Sequence, residues 1–145
     1  MGPHFGGGSG LGHGIVLQRG KHAGRLAAAR RYDCKANGGA SEFMHDFVLY
    51  SDDRGESWQA GQLLPHGWTE CQTAELLNGS LLLTARMDGE PFLSPNHSAS
   101  NRRRGFARSD DGGETWAAWW YLEDRQPEIM VGTNFESIVS DVSGS

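Results

Sequence analysis

A chain of 145 residues with a formal net charge of -5 lacks the basic surplus by which proteins bind nucleic acid, and it is long enough to enclose one core. Apolar residues make up 37%, and no apolar run approaches the roughly 20 residues that a membrane-crossing helix needs. The 21 glycines, with 5 Trp, 6 Phe and 3 Tyr, point to many tight turns anchored by aromatic side chains, an all-β composition.

Residues 1–14 are Gly-rich and read as a linker, or as a loop whose backbone approaches something closely. MGPHFGGGSG has neither a charged n-region nor an apolar h-region, so it is not expected to be a signal peptide. GIVLQ (14–18) and GRLAAARRY (24–32) predict the strands of a first hairpin, and DCKANGGASE (33–42) a polar loop. FMHDFVLYS (43–51) predicts a strand whose continuous apolar second half suits the middle of a buried sheet. Cys34 and Cys71 belong to no CxxC pair and make no disulfide framework, with a single bridge left open. The six histidines are scattered without HxxxH or HExxH spacing, which predicts no zinc site.

SDDRGESW (51–58) follows, and SDDGGETW (109–116) repeats it 58 residues later in the frame S-x-D-x-G-x-[ST]-W. Internal self-similarity at such a period points to propellers or solenoids. Asp53 and Asp111 are expected to bond nearby backbone N–H groups, while Gly55 and Gly113 permit left-handed dihedrals. The hydroxyls of Ser51, Ser57, Ser109 and Thr115 add local caps, and Trp58 and Trp116 are expected to pin each turn to the side of its sheet. These octapeptides read as structural punctuation.

Between the copies lies WTECQTAELLNGSLLLTAR (68–86), which reads as a hairpin. Asn78-Gly79 predicts a two-residue type I′ turn, because both central positions of that turn need φ > 0. The return strand then carries Arg86 back beside Glu70, while Glu75, five residues on, faces the other side and reads as structural. MDGEPFLSPNHSASN (87–101) is a polar loop, and Arg102, Arg103 and Arg104 read as a solvated charge run. RRRGFARS (102–109), AAWWYLE (117–123) and TNFESIVSD (133–141) are further strands, and no helix is predicted.

The octapeptide is similar to the Asp-box of sialidases and other β-propellers. GLGHGIVLQ, GRLAAA, LYSDDRGESW, TECQTAELLNGSLLLTAR and ARSDDGGETW, in that order, resemble the middle of an exo-α-sialidase catalytic domain. The resemblance spans residues 10–122 and, more loosely, 123–141. It implies a six-bladed β-propeller of four-stranded blades. At about 40–50 residues per blade, the chain supplies about three. Residues 1–145 are therefore expected to be an internal portion of a larger propeller, its remaining blades coming from the parent chain. A self-contained small β domain is the alternative.

Sialic acid carries a carboxylate on its anomeric carbon. A guanidinium fork suits that group, and sialidases use a tyrosine nucleophile where most glycosidases use a carboxylate. The phenol needs a neighbouring carboxylate as base. The resemblance places Arg86 in the arginine triad that binds the substrate carboxylate, Glu70 as the tyrosine's partner, and Glu136 as a polar pocket residue. Arg25, in GRL, matches a strand start and no triad position. Arg31 and Tyr32 fall near the pocket tyrosines of relatives, although AAARRYD departs from their pattern.

The other two triad arginines, the early acid/base aspartate and the nucleophilic tyrosine have no match. Tyr32, Tyr50 and Tyr121 lie in other contexts, so the fragment alone is expected to be inactive. The implied parent retains configuration, removes terminal sialic acid from glycoconjugates and uses no metal or organic cofactor. Its partners are sialylated glycans, with no nucleic acid and no membrane span, and its compartment is open. The alternatives are a non-catalytic Asp-box propeller that binds glycans or proteins, and a transferase that moves sialic acid to another sugar.

Overall fold

Alternating small and branched apolar residues, interrupted by Gly- and Asp-rich turns, build two four-stranded antiparallel sheets in the computed structural model, which describes residues 13–35, 41–65, 67–87 and 103–122. The first sheet runs β1 (Ile15–Val16), β2 (Leu26–Lys35), β3 (Ser41–Ser51) and β4 (Gln59–Ala60) in chain order. The second runs β5 (Trp68–Glu75), β6 (Leu81–Met87), β7 (Arg103–Ser109) and β8 (Ala118–Tyr121). Both are up-and-down meanders, the pattern of propeller blades. The described residues thus hold two of the expected three or so blades. The predicted strand 133–141, with Glu136, lies outside them. Among the described residues the only helical piece is a 3-10 turn, Gly20–His22, and no helix is long and apolar enough to cross a membrane.

The core lies between the sheets. Leu17, Ala27, Ala29, Val48, Tyr50 and Leu64 meet Trp68, Cys71, Leu81, Leu83, Ala85 and Ala107. Ala27 and Ala29 on β2, and Leu81, Leu83 and Ala85 on β6, recur at the period of two that turns one strand face inward. Burying each leucine contributes on the order of 2 kcal/mol. Polar stitches close the seam. The buried Glu75 carboxylate accepts the N–H groups of Gln18 (2.8 Å) and Arg19 (2.9 Å), as suits the structural role expected of it. Farther out the backbones touch: Gln62 N–H donates to Glu114 C=O at 2.8 Å, and a Cβ on Gly61 would lie 1.9 Å from the Gly113 carbonyl oxygen.

Both Asp-boxes form the expected turns with matching geometry. The Ser51 and Ser109 hydroxyls donate to Asp53 and Asp111 at 2.7 Å, and accept the N–H groups of Gly55 and Gly113 at 2.8 Å. Their tryptophans differ. Trp116 packs against the core and donates its ring N–H to the Gln62 carbonyl at 2.7 Å. Trp58 instead stays 45% exposed and folds over its own turn, donating to the Gly55 carbonyl at 3.1 Å.

Three expectations need correction. β2 and β3 run on to Lys35 and from Ser41, well into the predicted 33–42 loop, because ladder pairing overrides the local polar composition. The Asn78-Gly79 turn is not type I′. Only Gly79 is left-handed (φ 85), Gly79 N–H donates to Leu76 C=O at 2.9 Å and Leu76 N–H to Ser80 C=O at 2.8 Å, which closes a three-residue loop. Arg104 is not part of a solvated run: it belongs to β7 and is 3% exposed.

Candidate functional site

The β5–β6 hairpin brings Glu70 and Arg86 together as expected, by a route that the sequence does not announce. Thr69 pairs with Arg86 and Cys71 with Ala85, so Glu70 is an extra residue with no partner across the ladder. This is a β-bulge. In an unbroken strand Trp68 and Cys71 would point to opposite faces; the extra residue turns both into the inter-sheet core. Glu70 absorbs the change with φ 52, a left-handed conformation that costs a glutamate on the order of 1 kcal/mol. Strain of this kind clusters at functional sites.

Arg86 Nη1 donates to Glu70 Oε1 at 2.9 Å, and the two side chains are 23% and 21% exposed. The pair is neither fully buried nor free in solvent. The backbone beneath is fixed too, since the Thr69 hydroxyl donates to the Arg86 carbonyl at 3.4 Å. Arg86 also stands directly opposite Arg104 on β7, so the row Thr69–Arg86–Arg104 carries two cations side by side. A guanidinium here can accept a carboxylate ligand in its planar fork. The adjoining Glu70 carboxylate can take a proton from a hydroxyl brought near it.

Other candidates take other places. Arg31 and Tyr32 lie on β2, across from Asp46 and His45 on β3. Cys71 is a free thiol inside the core, and burial pushes its pKa well up, so it is neither bridged nor a nucleophile. Glu136 lies outside the described residues.

Sequence reasoning missed the importance of Arg25. Its buried guanidinium donates to both Asp52 oxygens (2.7 and 2.8 Å), to Glu114 Oε1 (2.9 Å) and to the carbonyls of Asp111 (3.1 Å) and Gly112 (3.2 Å). It also lies 4.2 Å from the centre of the Tyr50 ring. Burial opposes its charge, but the bonds to Asp52 and Glu114 prevail and hold its pKa above the ordinary value. Arg25 therefore fastens the two Asp-boxes to each other. The one available signal was an acidic residue at a variable position of each octapeptide, Asp52 and Glu114.

The BNR/Asp-box repeat model matches residues 49–60 and 107–118. The chain is 36% identical over 105 residues to a sialidase from Micromonospora viridifaciens, covering 72% of this chain and 14% of that protein. It is 35% identical over 131 residues to a sialidase from Vibrio cholerae, covering 74% and 15%. It thus spans about one seventh of the length of these relatives. Among solved structures, the intramolecular trans-sialidase of Ruminococcus gnavus, in complex with oseltamivir carboxylate, superimposes with a TM-score of 0.55 at 29% identity, over 79% of this chain and 20% of that one. The leech intramolecular trans-sialidase, complexed with 2,7-anhydro-Neu5Ac, gives 0.56 at 28% identity, over 79% and 14%.

Proposed function

Because this chain belongs to the sialidase family with Asp-box repeats, we propose that it is an internal portion of an exo-α-sialidase catalytic propeller. The observation that carries the reading is the Arg86–Glu70 contact of 2.9 Å at the strand edge. Arg86 clamps the carboxylate of a terminal sialic acid. Glu70 takes the proton of a tyrosine supplied by the parent chain as the phenol oxygen attacks the anomeric carbon. A neutral phenol approaches that carbon without the repulsion that a carboxylate nucleophile would meet from the substrate's own carboxylate. The glycosidic oxygen leaves with a proton from an acid on the parent chain. Water then attacks the anomeric carbon, the tyrosine oxygen leaves with the proton returned by Glu70, and the second inversion retains the configuration. In this reading Glu136 contributes to the sugar pocket, the remaining blades and catalytic groups come from the parent, and sialylated glycans are the substrates.

A second reading is favoured by one observation: two structural relatives above 25% identity are intramolecular trans-sialidases, one of them holding 2,7-anhydro-Neu5Ac. An attack by the sugar's own hydroxyl in place of water would give that product through the same first step. The test is cleavage of a fluorogenic α-sialoside by the full-length parent, with product analysis, wild type beside Arg86→Ala. The expected result is release of sialic acid by the wild type and a loss of roughly 100-fold or more in kcat/KM for the variant. The anhydro sugar as product selects the intramolecular reaction. Cleavage indifferent to Arg86 overturns the site, and a folded but inactive wild type overturns the enzyme in favour of a glycan-binding module.

A further inference from the structure

Glu70 holds a left-handed conformation that its own side chain disfavours, so something around it must impose that conformation. The residues on either side of the bulge identify the device. On one side Cys71 is sunk in the core; on the other Trp68 is fully buried. The Trp68 ring lies across β7 at Gly105, the residue next to Arg104 and directly opposite Ala85, which itself precedes Arg86. A Cβ on Gly105 would come within 2.8 Å of Trp68 Cη2 and Cζ3 and 3.1 Å of Cε3. Gly105 is not left-handed, so its backbone does not require glycine; the indole does. Trp119 meets the ring edge-on at 6.5 Å and 87°, and Tyr121 flanks it at 6.4 Å. The indole therefore has one seat.

We propose that Trp68, seated on Gly105, is a positioning pair that enforces the bulge and thereby aims Glu70 at Arg86. With Trp68 and Cys71 both pinned inward, the residue count between them leaves Glu70 only the outward, left-handed position. If Trp68 is lifted from its seat, the strand can relax to regular alternation and the carboxylate leaves the guanidinium. The inference rests on the sialidase reading for its catalytic consequence, but not for its geometry.

The test is Gly105→Ala in the full-length parent, read by crystal structure and by kinetics. Expected are loss of the left-handed φ at Glu70, an Arg86–Glu70 separation beyond hydrogen-bonding distance, and a fall in kcat of roughly 10–100-fold with KM changed much less. Trp68→Phe placed on top of Gly105→Ala should restore the pair and most of kcat, because phenylalanine reaches less far towards β7. Should Gly105→Ala not fold, Trp68→Ala, which removes the inward ring altogether, carries the test, with a displaced Glu70 expected. A Glu70 that keeps its conformation and its 2.9 Å contact in these variants overturns the proposal, whatever the activity. A displaced pair in a parent that never cleaved sialosides upholds it and removes the sialidase reading instead.

Discussion

At one end of the second sheet, Asp111 bonds the hydroxyls and N–H groups of its own turn, and Arg25 ties that turn to the other Asp-box. At the opposite end, Glu70 is held at φ 52 and meets Arg86 across a bulge. The first end puts its left-handed backbone on Gly112 and Gly113, follows the turn around Asp53 (where Arg54 stands at φ 62), and contributes stability. The second is strained and about a fifth exposed, and its carboxylate and guanidinium are placed where a ligand could reach them. A blade built this way separates the residues that hold it together from those available for chemistry.

Arg25→Ala should have the largest effect on folding. It removes a buried guanidinium and leaves the Asp111 and Gly112 carbonyls without their donor, a loss of about 3 kcal/mol; Asp52 and Glu114 are half exposed and regain water. Urea titration reads it, and activity measured well below the melting temperature should be kept. Glu70→Gly should separate the two properties by about 1 kcal/mol in the other sense. Glycine accepts the left-handed φ freely, so stability should hold or rise while turnover is lost; paired urea titration and kinetics check this.

The smallest effect is pH-dependent. Hydrogen bonds from the Ser57 hydroxyl and N–H, and from Ser51, hold the Asp53 carboxyl down to about 2. A depressed folded-state pKa means that the unfolded chain binds the proton more readily. The contribution is therefore complete above the ordinary carboxylate pKa and disappears as pH falls through about 2. Asp53→Asn should lower the urea midpoint near neutrality and converge on the wild type near pH 2.

The Asp-boxes were legible in the sequence because their hydrogen bonds lie within eight residues of chain. The meeting of Glu70 and Arg86 was legible for a less secure reason. A two-residue loop would have set Cys71 opposite Arg86; a three-residue loop and the bulge shifted the ladder, yet Glu70 still reached the guanidinium. No glycine marks the bulge, so its strain could not be read. Arg25 was illegible because its partners stand 27 and 86–89 residues away. Arg104 was misread because a charge run looks solvated until a strand carries one of its members inward. Both failures concern buried arginines, whose roles depend on tertiary neighbours and not on local pattern.

The most direct test of this separation measures two variants of the full-length parent side by side, Arg86→Ala and Arg25→Ala, each for kcat/KM on an α-sialoside and for unfolding in urea. Opposite outcomes are expected. Arg86→Ala should lose roughly 100-fold or more in kcat/KM and keep its stability to within about 1 kcal/mol. Arg25→Ala should lose about 3 kcal/mol of stability and keep its turnover while folded. A folded Arg25→Ala without activity, or an Arg86→Ala with undiminished activity, would contradict it.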